Sequence, residues 1–173
     1  MKKPKIFISY HRADNKYKDT IVQILKKYGY HYFSVNENKN FNGWKHQHIA
    51  DYICSEMENC DILLCIVGKD TYSRPHVDFE IHTALKGDVG ERKGIIAVML
   101  ETRYDSKNNI NYNTFPTKLK DNFDYIVLEQ YASIATRIEK AIERANKNRN
   151  DIRIQTTHKN RVMELRTGKY YDN

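Results

Sequence analysis

Residues 6–14 read Ile-Phe-Ile-Ser-Tyr-His-Arg-Ala-Asp. An apolar run stops abruptly at a small hydroxyl, an aromatic, two potentially cationic side chains and an acid. Ser9, Tyr10, His11 and Arg12 are the residue types that hold a polar, anionic ligand, since imidazole and guanidinium groups give charge-assisted hydrogen bonds to phosphate oxygens. In a parallel α/β sheet, ligands bind outside the carboxyl ends of the strands, which is where these four residues fall. A second candidate group lies in Thr71–Ile81, which reads Thr-Tyr-Ser-Arg-Pro-His-Val-Asp-Phe-Glu-Ile. Pro75 suits the first turn of a helix. His76 and Glu80, four residues apart, then share one face of it. That face borders the apolar stripe Val77, Ile81 and Ala84, so Glu80 is expected to be partly buried at the sheet edge. Asp78 and Phe79 point more nearly away from the core. Asp78 then reads as a solvated first-turn acid complementing the helix dipole, and Phe79 as a contact surface.

The elements that must position these groups are legible from periodicity. Residues 5–10 form a first strand. Asp14 or Asn15 can cap the next helix, whose Tyr17, Ile21, Ile24, Leu25 and Tyr28 recur at helical spacing, with Gly29 at its end. Residues 30–35 alternate as a second strand, nearer an edge because it is less apolar. Residues 36–43 are an Asn-rich loop, and 44–58 a helix with Ile49, Ile53 and Met57 on one face. Residues 61–67 and 94–100 are continuous apolar runs, as expected of central parallel strands. Residues 101–123 are long and irregular, with a short helix around 117–121. Residues 124–128 form a fifth strand and 132–148 a last helix. Five strands alternating with helices give an α/β fold, a five-stranded parallel doubly wound sheet of flavodoxin-like type with helices on both faces. Residues 1–148 form the domain. Residues 149–173 are a basic C-terminal tail, disordered or a short helix within 153–168.

Composition narrows the function. The chain has 173 residues, is 40% hydrophobic and 29% charged, and carries a net charge of +7. The tail holds net +3 and the body net +4, so no concentrated basic face marks a nucleic-acid binder. No apolar run approaches a membrane span and no signal-peptide core follows Met1, so a cytoplasmic protein is expected. Cys54, Cys60 and Cys65 form neither a CxxC pair nor an even disulfide set, and Cys65 reads as a small buried apolar residue. His46 and His48 lack a third ligand at metal-site spacing. No GxGxxG follows the first strand and no Walker loop is present. The acidic pair of a phosphorelay receiver is replaced by His11-Arg12.

Two segments resemble the TIR domain family, and within it the TIR-like proteins of the bacterial Thoeris anti-phage system. Lys5-Ile-Phe-Ile-Ser-Tyr-His-Arg12 is similar to the TIR opening strand. Residues 71–81 resemble the segment after the third TIR strand, S-x-x-W-x-x-x-E, whose glutamate is catalytic in NAD-cleaving members. His76 stands where that family usually has tryptophan, and an imidazole can stack in its place. The resemblance implies a TIR-type sheet and Glu80 as the catalytic carboxylate. It implies NAD as substrate rather than retained cofactor, with no metal. It further implies release of nicotinamide and a cyclic ADP-ribose isomer or conjugate as signal, sensed by a separate effector protein, with a homo-oligomer on activation. Glycosidic cleavage passes through an oxocarbenium-like state that a carboxylate stabilises. Nicotinamide leaves as a neutral base, so no general acid is required. Ser9, Tyr10, His11 and Arg12 would hold the nucleotide, with Phe41, Trp44 and His76 as walls around nicotinamide. The plainer readings stand beside these: Glu80 as an ordinary flanking glutamate, Tyr10 and Trp44 as packing residues, His11 and Arg12 as surface charges. Two other functions remain open, a non-catalytic interaction module using the 36–43 loop and Phe79, and a nucleoside-processing transferase.

Overall fold

The sheet is built on two strands with no polar side chain to spare. β3 (Ile62–Val67) and β4 (Gly94–Met99) are buried along their whole length. They pair in parallel with Ile62 opposite Gly94 and Val67 opposite Met99. The computed structural model describes residues 2–35, 43–87, 90–101, 111–157, 161–163 and 170–172. Its main sheet has the order β2-β1-β3-β4-β5, with β1 at Ile6–Ser9, β2 at Tyr32–Phe33 and β5 at Val127–Gln130. Each neighbouring pair is parallel. β2 is a two-residue edge strand, in line with its weak apolar pattern.

Alternation along the strands gives each face its own core. Phe7, Leu63, Cys65, Val67, Ile95, Ala97 and Met99 point to one side, where α2 (His46–Met57) and α3 (Pro75–Lys86) lie. Ile6, Ile8, Leu64, Ile66, Ile96 and Val98 point to the other, toward α1 (Asn15–Lys27) and α5 (Ile134–Asn150). The helices meet the sheet with the stripes their periodicity predicts, Ile21, Val22 and Leu25 on α1 and Ile134, Ile138, Ala141, Ile142 and Ala145 on α5. Each such isoleucine, valine or leucine, fully buried, contributes roughly 1.5–3 kcal/mol of transfer free energy, and each alanine less. α5 approaches β4 closely at Gly94, where a Cβ would stand 2.5 Å from the Ala145 carbonyl oxygen.

α3 starts at Pro75 and ends at Gly87 in the left-handed conformation. It is flanked by a four-residue helix, α4 (Thr117–Lys120). β5 begins later than the residues 124–128 expected of it. Tyr125 and Ile126 are apolar and buried, but their N–H groups bond to the Asn122 carbonyl in a turn. Beyond α5 the chain folds back. Arg92 donates to the carbonyls of Arg149, Asp151 and Ile154. Asn122 receives the Thr157 N–H and donates to the Thr157 carbonyl. Where a helix over 153–168 was one expectation, the described residues hold a turn and then β6 (Arg161–Met163), paired antiparallel with β7 (Tyr170–Asp172). Among the described residues no helix is long and apolar enough to cross a membrane.

Candidate functional site at the β1–β3 crevice

The strand order reverses between β1 and β3. Crossovers leave this point in opposite directions, so a crevice opens at the strands' carboxyl ends, the usual ligand position in open α/β sheets. Ser9, the last residue of β1, is register partner to Cys65 of β3. Both continue the series that faces α3, and α3 brings Glu80 to them.

Glu80 is 4% exposed. Burial pushes its carboxyl up to about 8, and the neighbouring Ser9 hydroxyl pulls part of that shift back. Ser9 Oγ is itself buried and makes no hydrogen bond of good geometry; it stands close to the carboxyl without being committed to it. The Cys65 thiol is raised by its burial and then by the Glu80 charge, which leaves it an inert wall rather than a nucleophile. In this conformation Glu80 is mostly protonated at neutral pH. A cation in the crevice would favour the ionised form.

Above Ser9 the β1–α1 turn gathers charges. His11, half-buried, is held below the usual imidazole range by desolvation and then by Arg74, while Asp14 and Asp70 pull the other way. Arg74 Nε donates to the Asp70 carbonyl at 3.2 Å. The buried Thr71 fixes the turn after β3: its hydroxyl accepts the Gly68 N–H at 2.8 Å and donates to the Ile66 carbonyl at 3.3 Å. Asp14 crosses the crevice. A Cβ on Gly68 would meet its Oδ2 at 2.4 Å, so the carboxylate lies directly against the end of β3.

The arrangement is therefore a buried acid beneath a rim of mixed charge. Residues 7–105 match the family described as Thoeris protein ThsB, TIR-like domain. The chain belongs to that family. No curated protein matches it. Among solved structures, the TIR domains of the activated Roq1 resistosome, which recognises the pathogen effector XopQ, align at 16% identity with a TM-score of 0.45, covering 86% of this chain and 84% of that one. A flavo di-iron protein from Thermotoga maritima aligns at 14% identity with a TM-score of 0.46, and the chain, 86% of it aligned, spans only 37% of that protein's length.

The TIR-like domain brings some of the sequence candidates together and separates others. Ser9 and Glu80 meet, with His11 at the rim. His76, one turn before Glu80, is half-buried, and desolvation lowers its imidazole pKa. Trp44 is half-buried against the α2–α3 core, edge-on to Tyr52 with ring centroids 6.2 Å apart. Tyr10 sits on the opposite side of the sheet, against the α1–α5 core, with Lys18 Nζ 5.5 Å from its ring centroid. Arg12 is exposed in a single 3-10 turn, Arg12–Asp14. Phe41 and residues 36–42 lie outside the described residues.

Two expectations for α3 are corrected. Asp78 is buried, and Lys118 of α4 donates to both its carboxylate oxygens at 2.7 Å. Phe79 is half-buried against the α2–α3 core rather than displayed. α4 covers a flank of α3 that helical periodicity alone leaves open. Asp14 is the residue the sequence hid. It reads as a helix cap, and it holds the N-cap position without making a cap bond.

Proposed function

We propose that this TIR-like domain cleaves NAD between ribose and nicotinamide, with Glu80 as the catalytic carboxylate. The observation that carries this reading is a carboxyl, Glu80, buried at the switch-point crevice beside the hydroxyl that ends β1. The C1′–N bond breaks, its electron pair leaves with nicotinamide, and the ring nitrogen loses its positive charge. An ionised Glu80 stabilises the oxocarbenium character left on the ribose. The cationic nicotinamide ring is itself what draws the proton off Glu80 as it enters. Burial that costs Glu80 its charge in the empty site then strengthens the attraction once the cation is in place. His11 and Arg12 supply charge for the pyrophosphate, and His76 and Trp44 wall the nicotinamide. C1′ is then captured by a nucleophile of the same molecule, giving a cyclic isomer, or of another molecule, giving a conjugate, and a separate effector senses this signalling nucleotide in cytoplasmic anti-phage defence. Assembly of several copies is the natural trigger, since the carboxyl is almost closed off in a single chain.

Nicotinamide release from NAD by wild type and Glu80→Gln tests the assignment. Loss on the order of 100-fold in the variant is expected for removal of one charge-stabilising group. Equal release by both would sink it. The 4% exposure of Glu80 also favours a second reading, a non-catalytic interaction module in which Glu80 is structural. Full defence activity of Glu80→Gln would select that reading.

A further inference from the structure

α3 is enclosed on more sides than a helix lying on a sheet requires. Eight of its twelve residues are buried, Val77, Asp78 and every one from Glu80 to Leu85. The Val77/Ile81/Ala84 stripe faces the core. Phe79 and His82 fall on the side turned away from it, where such a helix normally meets water. Yet Phe79 is half-buried and His82 is 5% exposed. α2 and α4 flank the helix, and the chain beyond α5 returns to it. Thr156 Oγ1 donates to the Leu85 carbonyl at 3.4 Å, Ile154 packs against the α2–α3 core, and β6 lies against α3.

Asn122 joins this returning chain to the helix. Its buried side-chain amide donates to the Thr157 and Lys118 carbonyls, each at 2.7 Å, and its Oδ1 accepts the Thr157 N–H at 2.7 Å. Lys118 in turn holds both carboxylate oxygens of Asp78. The return is thus tied, through Asn122 and Lys118, to a position two residues before Glu80. Its attachment is mostly polar. Arg92 grips three of its carbonyls, Ile154 is the one apolar anchor among the described residues 151–157, and Ile152 is 86% exposed. Segments with few buried apolar contacts open at a fraction of the cost of global unfolding. A two-stranded ribbon such as β6–β7 is marginal without support from the body.

We propose that the returning chain, residues 151–157 with β6, is a releasable restraint that holds α3 in place and Glu80 enclosed, and that Asn122 is the positioning residue through which it acts. This rests on the reading that Glu80 acts on an NAD-type nucleotide. While the restraint is docked, burial keeps the Glu80 carboxyl largely uncharged. Undocking removes the cover from the outer side of α3 and loosens α4, which grips Asp78. α3 is then free to shift, water and substrate reach Glu80, and its ionised form is favoured.

The test compares wild type with Thr157→Pro and Asn122→Ala, all as the full chain. Nicotinamide release from NAD and hydrogen exchange of the α3 amides are both measured. Thr157→Pro removes the N–H that Asn122 accepts and leaves the domain body unaltered; Asn122→Ala removes every side-chain link at the joint. Each lost hydrogen bond shifts the docking equilibrium by about two- to tenfold, so both variants are expected to release nicotinamide at least ~fivefold faster than wild type. Their α3 amides should exchange faster by a similar factor. A purely structural contact predicts the opposite sign, since loosening a scaffold lowers activity. Measurable release that is unchanged or reduced in folded Thr157→Pro and Asn122→Ala would overturn the proposal, as would α3 exchange at the wild-type rate in both. Faster α3 exchange in the variants, with no nicotinamide release by any of the three chains, would leave the restraint standing and remove the glycohydrolase reading.

Discussion

Lys118 Nζ lies 2.7 Å from both carboxylate oxygens of Asp78, and both side chains are more than nine-tenths buried. The pair joins α4 to α3 two residues before Glu80, across 40 positions of sequence. It fixes the flank of the helix that carries the candidate acid.

Removing one partner of such a pair strands a buried charge. Lys118→Met should cost about 3–5 kcal/mol. Asp78→Asn combined with Lys118→Met should recover much of that, because no charge is then left unpaired. Urea unfolding at unchanged m-value measures both.

The raised Glu80 carboxyl ties stability to pH. Below about pH 4 Glu80 is protonated whether the chain is folded or not. Between the ordinary value of 4.5 and the folded value of about 8, the unfolded chain has released this proton and the folded chain retains it. The fold therefore loses stability as pH rises through that window, by ~1.4 kcal/mol per unit. Glu80→Gln abolishes the loss. Its melting temperature should exceed that of wild type by several degrees at pH 8 and match it at pH 4.5, in thermal scans across the range.

Gly94→Ala should destabilise the fold by roughly 2–4 kcal/mol, as overpacking of a rigid contact does. Its Cβ would stand 2.5 Å from a backbone carbonyl of α5, which cannot rotate away. Gly68→Ala meets only a side-chain carboxylate and should cost far less. Melting temperatures of the two variants side by side check this contrast.

Much of the architecture was written locally. The runs at 62–67 and 94–99 are apolar throughout, and they became central strands buried on both faces. Pro75 and Gly87 bracket α3 as punctuation predicts, and the four-residue spacing of the Val77/Ile81 stripe put Glu80 near the core. What escaped was set by distant chain. Asp78 looked solvated because nothing near it in sequence announces Lys118. Asp14 looked like a cap because Gly68 lies 54 positions away. Tyr10 continues the β1 motif, yet its packing against the α1–α5 core follows from where the strand ends. β5 slid toward the C-terminus because Asn122 bonds the N–H groups of Tyr125 and Ile126 in a turn, a choice apolar content does not encode.

Arg92 fastens the segment after α5. Its three donors reach the Arg149, Ile154 and Asp151 carbonyls at 3.0, 2.6 and 2.5 Å, and its guanidinium lies 5.0 Å from the Tyr125 ring centroid. A lysine offers one compact ammonium in place of this planar fork. Arg92→Lys should lower stability by about 1–3 kcal/mol and speed proteolytic cleavage between residues 151 and 157 at least severalfold. Limited proteolysis followed by intact-mass measurement reads the second effect directly.

The role proposed for Glu80 is to make a small molecule from NAD. Mass spectrometry of nucleotides from phage-infected cells expressing wild type or Glu80→Gln tests it. Nicotinamide and an ADP-ribose derivative are expected to appear after infection with wild type and to be missing with Glu80→Gln. The same derivative at equal level in both, or none in wild-type cells that resist the phage, would contradict it.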